Sequence, residues 1–143
     1  MKSRWDANRN VGCGQNRQNH LIGGNKSVDE ATRACLAYVA GRAIAGRKTS
    51  SIYDYSQGRH ITIDGEVSAS RVNVYDYERR CYFSGTLKSL FDYGHRAYVS
   101  LQIRGKEFSG FDYGSQHHFS GSVSGNSVTL YDYGESGYFS FAL

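Results

Sequence analysis

The chain has 143 residues, no proline, 17 glycines and 12 tyrosines, and a formal net charge of +4. That length suits one domain with an appendage, and the composition points to a regular, turn-rich β protein rather than a disordered or fibrous one. Residues 1–50 carry nine Lys/Arg against three acids and residues 51–143 eight against ten, so the positive charge belongs to the N-terminal region and any pull on polyanions is expected there.

At the N-terminus, Met1 to Asp6 lacks the apolar core of a signal peptide, and no run of 18 apolar residues occurs. No membrane span is expected, and cytoplasmic residence is the default. Cys13, Cys35 and Cys81 are odd in number and widely spaced, which is not a disulfide framework. Residues 1–26 are rich in Asn, Gln, Gly and Arg and have no periodicity. Such a segment buries too little apolar surface to offset its ordering entropy alone, and it reads as a basic arm with Arg4, Arg9, Arg17 and Lys26 as contacts. Cys13 and His20 make only two of the four protein ligands a structural zinc needs, so no metal site is expected.

Residues 27–46 read as a helix. Ser27-Val28-Asp29-Glu30 has the form of a capping box, and the helix is predicted from about Val28 to Ala45. Gly46 marks its end, with Arg47 and Lys48 favourable at the negative pole of the dipole. Cys35, Val39 and Ala43 recur at four-residue spacing, with Leu36 and Ile44 alongside. Ala31, Ala34, Ala37, Ala40 and Gly41 keep the surface shallow. This suits packing on a sheet better than insertion in a membrane.

Residues 50–143 form the repeat domain. Tyr-Asp-Tyr or Phe-Asp-Tyr begins at Tyr53, Tyr75, Phe91, Phe111 and Tyr131, and an aromatic or histidine follows each motif's last Tyr by five residues: His60, Tyr82, Tyr98, His118 and Tyr138. A four-residue loop Gly134–Gly137 would place Tyr133 opposite Tyr138, and the same register would pair Tyr113 with His118, Tyr93 with Tyr98, Tyr77 with Tyr82 and Tyr55 with His60. Side chains alternate faces along a strand, so Val128, Leu130, Phe139, Phe141 and Leu143 then share one side, and Tyr131, Tyr133, Tyr138 and Ser140 the other. Between motifs, Gly125-Asn126 and Gly105-Lys106 fit two-residue hairpin turns, with Arg104 opposite Glu107. Lys88-Ser89, flanked by Leu87 and Leu90, and Ala69-Ser70, flanked by Val67 and Val72, complete the set.

The predicted fold is therefore mainly β: an antiparallel up-and-down meander of about ten short strands, five hairpin repeats in a curled sheet or barrel, with the N-terminal helix packed on the aliphatic face. Ten strands closed into a barrel leave room for a helix inside, and a back-to-back dimer is the other way to cover that face. Strands of about six residues fall short of the roughly 9–11 a membrane barrel needs. A solenoid would stack the five Asp residues at about 4.8 Å, a repulsive column that the meander avoids.

The Asp residues of the motifs (Asp54, Asp76, Asp92, Asp112, Asp132) read as turn fixtures accepting amide hydrogen bonds, with Gly94, Gly114 and Gly134 freeing the loops. The polar face holds the candidate site. One predicted row contains Tyr55, His60, Tyr77, Tyr82, Tyr93, Tyr98, Tyr113, His118, Tyr133 and Tyr138. The next alternates large and small: Tyr53, Thr62, Tyr75, Ser84, Phe91, Ser100, Phe111, Ser120, Tyr131, Ser140. Cross-strand aromatic pairs stabilise a sheet, and rings over small hydroxyl residues leave grooves where a flat ligand stacks.

His60, His117 and His118 are too dispersed for a ligand set, and Cys81, beside Arg79 and Arg80, has no sequence-local base. The chain holds no phosphate loop, nucleophile elbow, zinc signature or dinucleotide fingerprint, so no catalytic residue and no cofactor is assigned. In organisation, residues 53–143 resemble choline-binding cell-wall repeats and MORN (membrane occupation and recognition nexus) repeats. They share the period and the aromatic-glycine turns. The Trp-rich choline motif and the Tyr-x-Gly-x-Trp core are absent, so neither ligand class carries over. The functional expectation is a non-enzymatic interaction or scaffold protein that binds a protein partner or itself, as a homo-oligomer, through the Tyr/Ser face and the arm. The alternatives are a nucleic-acid-binding module and a glycan-binding module.

Overall fold

A computed structural model of the protein describes residues 28–143. Helix α1 spans Glu30–Ala45. The strands are β1 Ser51–Asp54, β2 Arg59–Val67, β3 Val72–Asp76, β4 Cys81–Gly85, β5 Ser89–Asp92, β6 Ala97–Arg104, β7 Glu107–Asp112, β8 His117–Ser124, β9 Ser127–Asp132 and β10 Gly137–Ala142. Each pairs antiparallel with its sequence neighbours, and β1 pairs with β10 through Tyr53–Ala142 and Asp54–Phe141. The meander thus closes into a ten-stranded barrel, which leaves no unpaired sheet edge.

The aliphatic face lines the interior, and α1 runs through it. Thr32 to Arg42 are buried without a break, on every side of the helix. Thr32 Oγ1 donates to Asp92 at the end of β5 (2.7 Å), Arg33 to Asp132 at the end of β9 (3.3 Å), and Arg42 to the Gly65 carbonyl in β2 (2.6 Å). Those strands divide the ring into near thirds, so the helix touches the wall all round. A ten-stranded wall is too wide for side chains from the strands alone to fill, and the helix supplies the missing volume. Its small residues set the distance. A Cβ on Gly41 would lie 2.9 Å from Val128 Cγ2 and 3.2 Å from a Leu143 methyl. In the wall itself, Phe108 lies opposite Gly121 and Phe119 opposite Gly110, and each ring occupies the space the glycine leaves.

The helix begins later than the capping box predicts. Its N-cap is Asp29, whose side chain accepts from the Ala31 N–H (3.0 Å), and Ser27 lies outside the described residues. Asp29 is extended (φ −64°, ψ 150°), and before it the Val28 N–H donates to the buried Asp132 carboxylate (3.0 Å). The C-terminus is as expected: Gly46 is left-handed (φ 72°) and its N–H donates to the Arg42 carbonyl.

The motif hairpins are shifted by two residues from the predicted register. Tyr138 pairs with Tyr131, His118 with Phe111, Tyr98 with Phe91, Tyr82 with Tyr75 and His60 with Tyr53. An even shift keeps every side chain on its face, so the inside and outside sets stand. The second Tyr of each motif instead opens a four-residue loop coiled as one helical turn. The fourth residue's N–H donates to the motif Asp carbonyl in Gly58, Arg80 and Gln116 (2.8, 2.7 and 2.8 Å). That fourth position is left-handed in all five loops: Gly58, Arg80, Arg96, Gln116 and Ser136, with φ of 55–68°. Positive φ therefore falls there and not at Gly94, Gly114 or Gly134.

The intervening turns Ala69-Ser70, Gly105-Lys106 and Gly125-Asn126 are as predicted, with Arg104 opposite Glu107. The remaining one is Leu87-Lys88 and not Lys88-Ser89. Thr86 and Ser89 exchange backbone hydrogen bonds (3.0 and 3.2 Å), and the Thr86 hydroxyl also accepts from the Ser89 N–H. This places the buried Leu90 opposite Gly85, where there is space for it.

Candidate functional site

The motif loops gather at one mouth of the barrel and divide the motif between two surfaces. The Asp points inward and its two flanking aromatics outward.

Inside, five carboxylates ring the N-terminal half of α1, and all five are buried. Each uses Oδ1 to accept the N–H two residues on, from Ser56, Glu78, Gly94, Gly114 or Gly134, at 2.9–3.0 Å. This is the expected turn fixture. The sequence did not reveal what Oδ2 does. Asp132 accepts from Val28 N–H and Arg33, and Asp92 from the Thr32 hydroxyl. Asp76 accepts from Arg79 Nε (2.8 Å), and the same guanidinium's Nη1 donates to Asp92 (2.9 Å). His95 Nδ1 lies 3.2 Å from Asp92. Asp54 and Asp112 instead turn to their own loops, to Gln57 and Ser115. The ring thus ties helix to wall by charge-assisted bonds.

Electrostatics follow the partners. Burial opposes the charge on Asp92, but Arg79, His95 and Thr32 outweigh it and hold its carboxyl well below the usual range. Arg79 is likewise desolvated, and Asp92 and its other neighbours keep its pKa above normal. His95 loses stability as a cation through burial and regains more from Asp92, so its pKa is raised. Asp112 lacks such a cation partner among the described residues, and burial pushes it up despite the Ser115 and Gly114 bonds. Burial also lifts the Cys35 thiol well above its normal value. Among the described residues no group of three or more His, Cys, Asp or Glu side chains is arranged to hold a metal.

Outside, each repeat builds the same aromatic cluster. The first motif aromatic is gripped edge-on by the second and by its cross-strand partner. Tyr53 meets Tyr55 and His60, Tyr75 meets Tyr77 and Tyr82, and Phe91 meets Tyr93 and Tyr98. Phe111 meets Tyr113 and His118, and Tyr131 meets Tyr133 and Tyr138. Centroids are 4.7–4.9 Å apart with rings 65–75° to one another, the favoured T-shape. The flanking tyrosines stay open to solvent, from 48% at Tyr82 to 74% at Tyr138.

The clusters join into a row, though not across all ten strands as predicted. The N–H groups of Tyr93, Tyr113 and Tyr133 donate to the carbonyls of Tyr82, Tyr98 and His118, so the row runs level from β3 to β10. Around the first repeat it steps by two residues: Tyr77 donates to Thr62 and Tyr55 to Ser140. The large-small pairing survives at Ser84–Phe91, Ser100–Phe111 and Ser120–Tyr131, whereas Tyr75 faces Asp64 and Tyr53 faces Ala142. The steps arise because a closed barrel needs staggered strands.

A groove of about 600 Å³ crosses the level part of this wall, lined by Ser100, Gln102, Ser109, Phe111, His118, Ser120 and Tyr133 among others. It adjoins a larger one of about 980 Å³ that reaches Thr129, Tyr131 and Tyr138 and includes Arg104 and Glu107. Gln102, Ser109 and Thr129 were not singled out from sequence. Their signal was present: outward-facing small polar residues between the aromatic positions of β6, β7 and β9. The arm residues Arg4, Arg9, Arg17 and Lys26, with Cys13 and His20, lie outside the described residues. Cys81 is the buried first residue of β4, paired with Asp76. No helix among the described residues is long and apolar enough to cross a membrane. No protein-family model, curated protein or solved structure matches this chain.

Proposed function

We propose that the protein is a non-enzymatic interaction module whose Tyr- and Ser-lined outer wall is its binding surface, for a protein partner or a second copy of itself. One observation carries the reading: eight tyrosines, each about half exposed or more, stand in repeated clusters on a wall whose interior is filled by α1. Tyrosine offers a large rigid contact area with a polar tip and loses little conformational entropy on binding. The edge-on clusters add pre-organisation, because each exposed ring is already braced by its neighbour. Val28, the first described residue, sits at the tyrosine-rimmed mouth, where its N–H donates to Asp132.

Light scattering of the full chain over a concentration series tests this, beside a Tyr98→Ser/Tyr113→Ser/Tyr138→Ser variant and a chain lacking residues 1–26. The reading expects association that the triple variant weakens while melting like the parent. Association untouched by the wall substitutions refutes it. Nucleic acid is the second reading, favoured by the basic composition of residues 1–26 together with the exposed aromatic row. It requires binding of single strands that falls steeply with salt and vanishes on deletion of residues 1–26. Salt-insensitive or absent binding removes it.

A further inference from the structure

We propose that the groove on the outer wall of β6–β9 is a binding site for a neutral carbohydrate chain. The proposal rests on the reading of the wall as a binding surface and names what this part of it takes. Three properties of the groove point to that ligand class.

The first is charge. Of the described residues that line the 600 Å³ groove, none is Asp, Glu, Lys or Arg. In the adjoining groove Arg104 lies directly opposite Glu107 across the hairpin, so that pair offers no net charge. A nucleic-acid strand needs cations along its phosphates, and an acidic sugar needs at least one. A neutral polyol needs neither.

The second is the pairing of rings with uncommitted polar groups. Phe111 and Tyr133 offer apolar surface for the C–H face of a sugar ring. Between them lie hydroxyl and amide groups, of which Gln102, Ser109 and Thr129 hydrogen-bond through their side chains to no described residue. Ser120 Oγ and Tyr133 Oη lie 3.3 Å apart and form a ready donor-acceptor couple. A sugar presents alternating hydroxyls above and below an apolar ring, and such a surface satisfies both sets.

The third is shape. The volume falls in the range of sites that hold small organic ligands. The two grooves share Gln102, Ser109, Ser120 and Tyr133, so they form one path from β6 across to Tyr138 of β10. An open path suits a chain of sugars better than a single one. Beyond the level row the arrangement is lost: at the first repeat, Tyr75 and Tyr53 face Asp64 and Ala142 rather than a serine.

The test is calorimetric titration of the full chain with neutral hexasaccharides: β-1,4-glucan, α-1,4-glucan, N-acetylglucosamine oligomer and β-1,4-mannan. At least one binds, and its affinity changes less than about two-fold between low and high salt. Tyr133→Ala weakens it by about ten-fold or more, as expected for loss of one stacking ring. Ser120→Arg, which fills the groove, abolishes it, and Arg71→Ala, at the exposed β2–β3 turn away from the groove, leaves it unchanged. Circular dichroism and melting confirm that each variant folds. The proposal is overturned if none of the four binds at millimolar concentration, if Ser120→Arg binds as the parent does, or if affinity collapses with salt. Those failures remain separate from failure of the wall itself, because loss of association in the Tyr98/Tyr113/Tyr138 variant does not depend on any sugar.

Discussion

Asp92 and Asp112 occupy the same place in successive repeats, yet replacing each with Asn should act in opposite directions. Asp92 is 1% exposed and accepts bonds from Thr32, from Gly94 and, through both carboxylate oxygens, from Arg79 Nη1 at 2.9 and 3.2 Å. Asparagine in its place would offer only one acceptor oxygen and would turn an N–H₂ toward a guanidinium that is itself buried. Arg79 would retain Asp76 as its only carboxylate partner among the described residues. Removing one partner of a buried pair costs about 3–5 kcal/mol, chiefly because the other charge stays buried. For a domain of this size that corresponds to a fall in Tm of roughly 10–20 °C.

Asp112 has no such partner among the described residues. It accepts from Gly114 N–H (3.0 Å) and the Ser115 hydroxyl (2.9 Å), and an asparagine side chain keeps the first bond while donating to the Ser115 oxygen. The net change should lie within about 1 kcal/mol. Its sign follows from the raised pKa of Asp112. A carboxyl that is easier to protonate folded than unfolded stabilises the fold at low pH, and that contribution is lost as pH rises through the folded value. The advantage of Asp112→Asn over the parent should therefore grow from pH 3 to pH 7. Urea denaturation of both variants across that range measures it. Equal losses at the two sites, or an Asp112→Asn advantage that shrinks as pH rises, would refute the electrostatic account of the ring.

His95 has a raised pKa, so its charge contributes stability fully below its unfolded value of about 6.5 and loses it as pH rises through the folded one; the stability of the parent should fall above pH 6.5 more than that of His95→Gln. A non-glycine residue in the left-handed region costs about 1–2 kcal/mol, partly offset by the entropy of glycine, so Gln116→Gly and Ser136→Gly should each raise stability by about 0.5–1 kcal/mol in the same denaturation assay. Gly110→Ala and Gly121→Ala drive a Cβ into the Phe119 and Phe108 rings and into backbone carbonyls, and should each cost about 1–3 kcal/mol. Iodoacetamide at pH 8 should leave Cys35 unmodified in the native protein and label it in urea, because its thiol is buried with a strongly raised pKa; native labelling with peptide mapping to Cys35 would contradict the enclosed helix.

Strand number, antiparallel order, the inward aliphatic set and the outward aromatic set all follow from the repeated motif, because the period-two alternation of a strand assigns faces without knowledge of the partner. The position of the four-residue loop did not follow. A Gly-x-x-Gly segment such as Gly134–Gly137 looks like the turn, yet the turn begins at Tyr133, since the Asp carbonyl and carboxylate together hold a helical turn that starts one residue after it. The aromatic row was legible up to its steps, and the groove's rings were named with Ser100, His118 and Ser120, but Gln102, Ser109 and Thr129 were not.

The sequence by itself determined the pattern of faces, the hairpin order, the helix and the Asp-anchored loops, because each depends on residues close together in the chain. Tertiary structure alone decided closure, stagger and the roles those demand. Whether ten strands meet depends on β1 pairing with β10, and the stagger of that seam breaks the aromatic row around the first repeat. Closure also encloses α1, and enclosure buries all five turn-forming carboxylates, of which Asp76, Asp92 and Asp132 are met by Arg79, His95 and Arg33. A local spacing cannot encode the need for those partners. It arises only when the wall removes water from both sides of the charge.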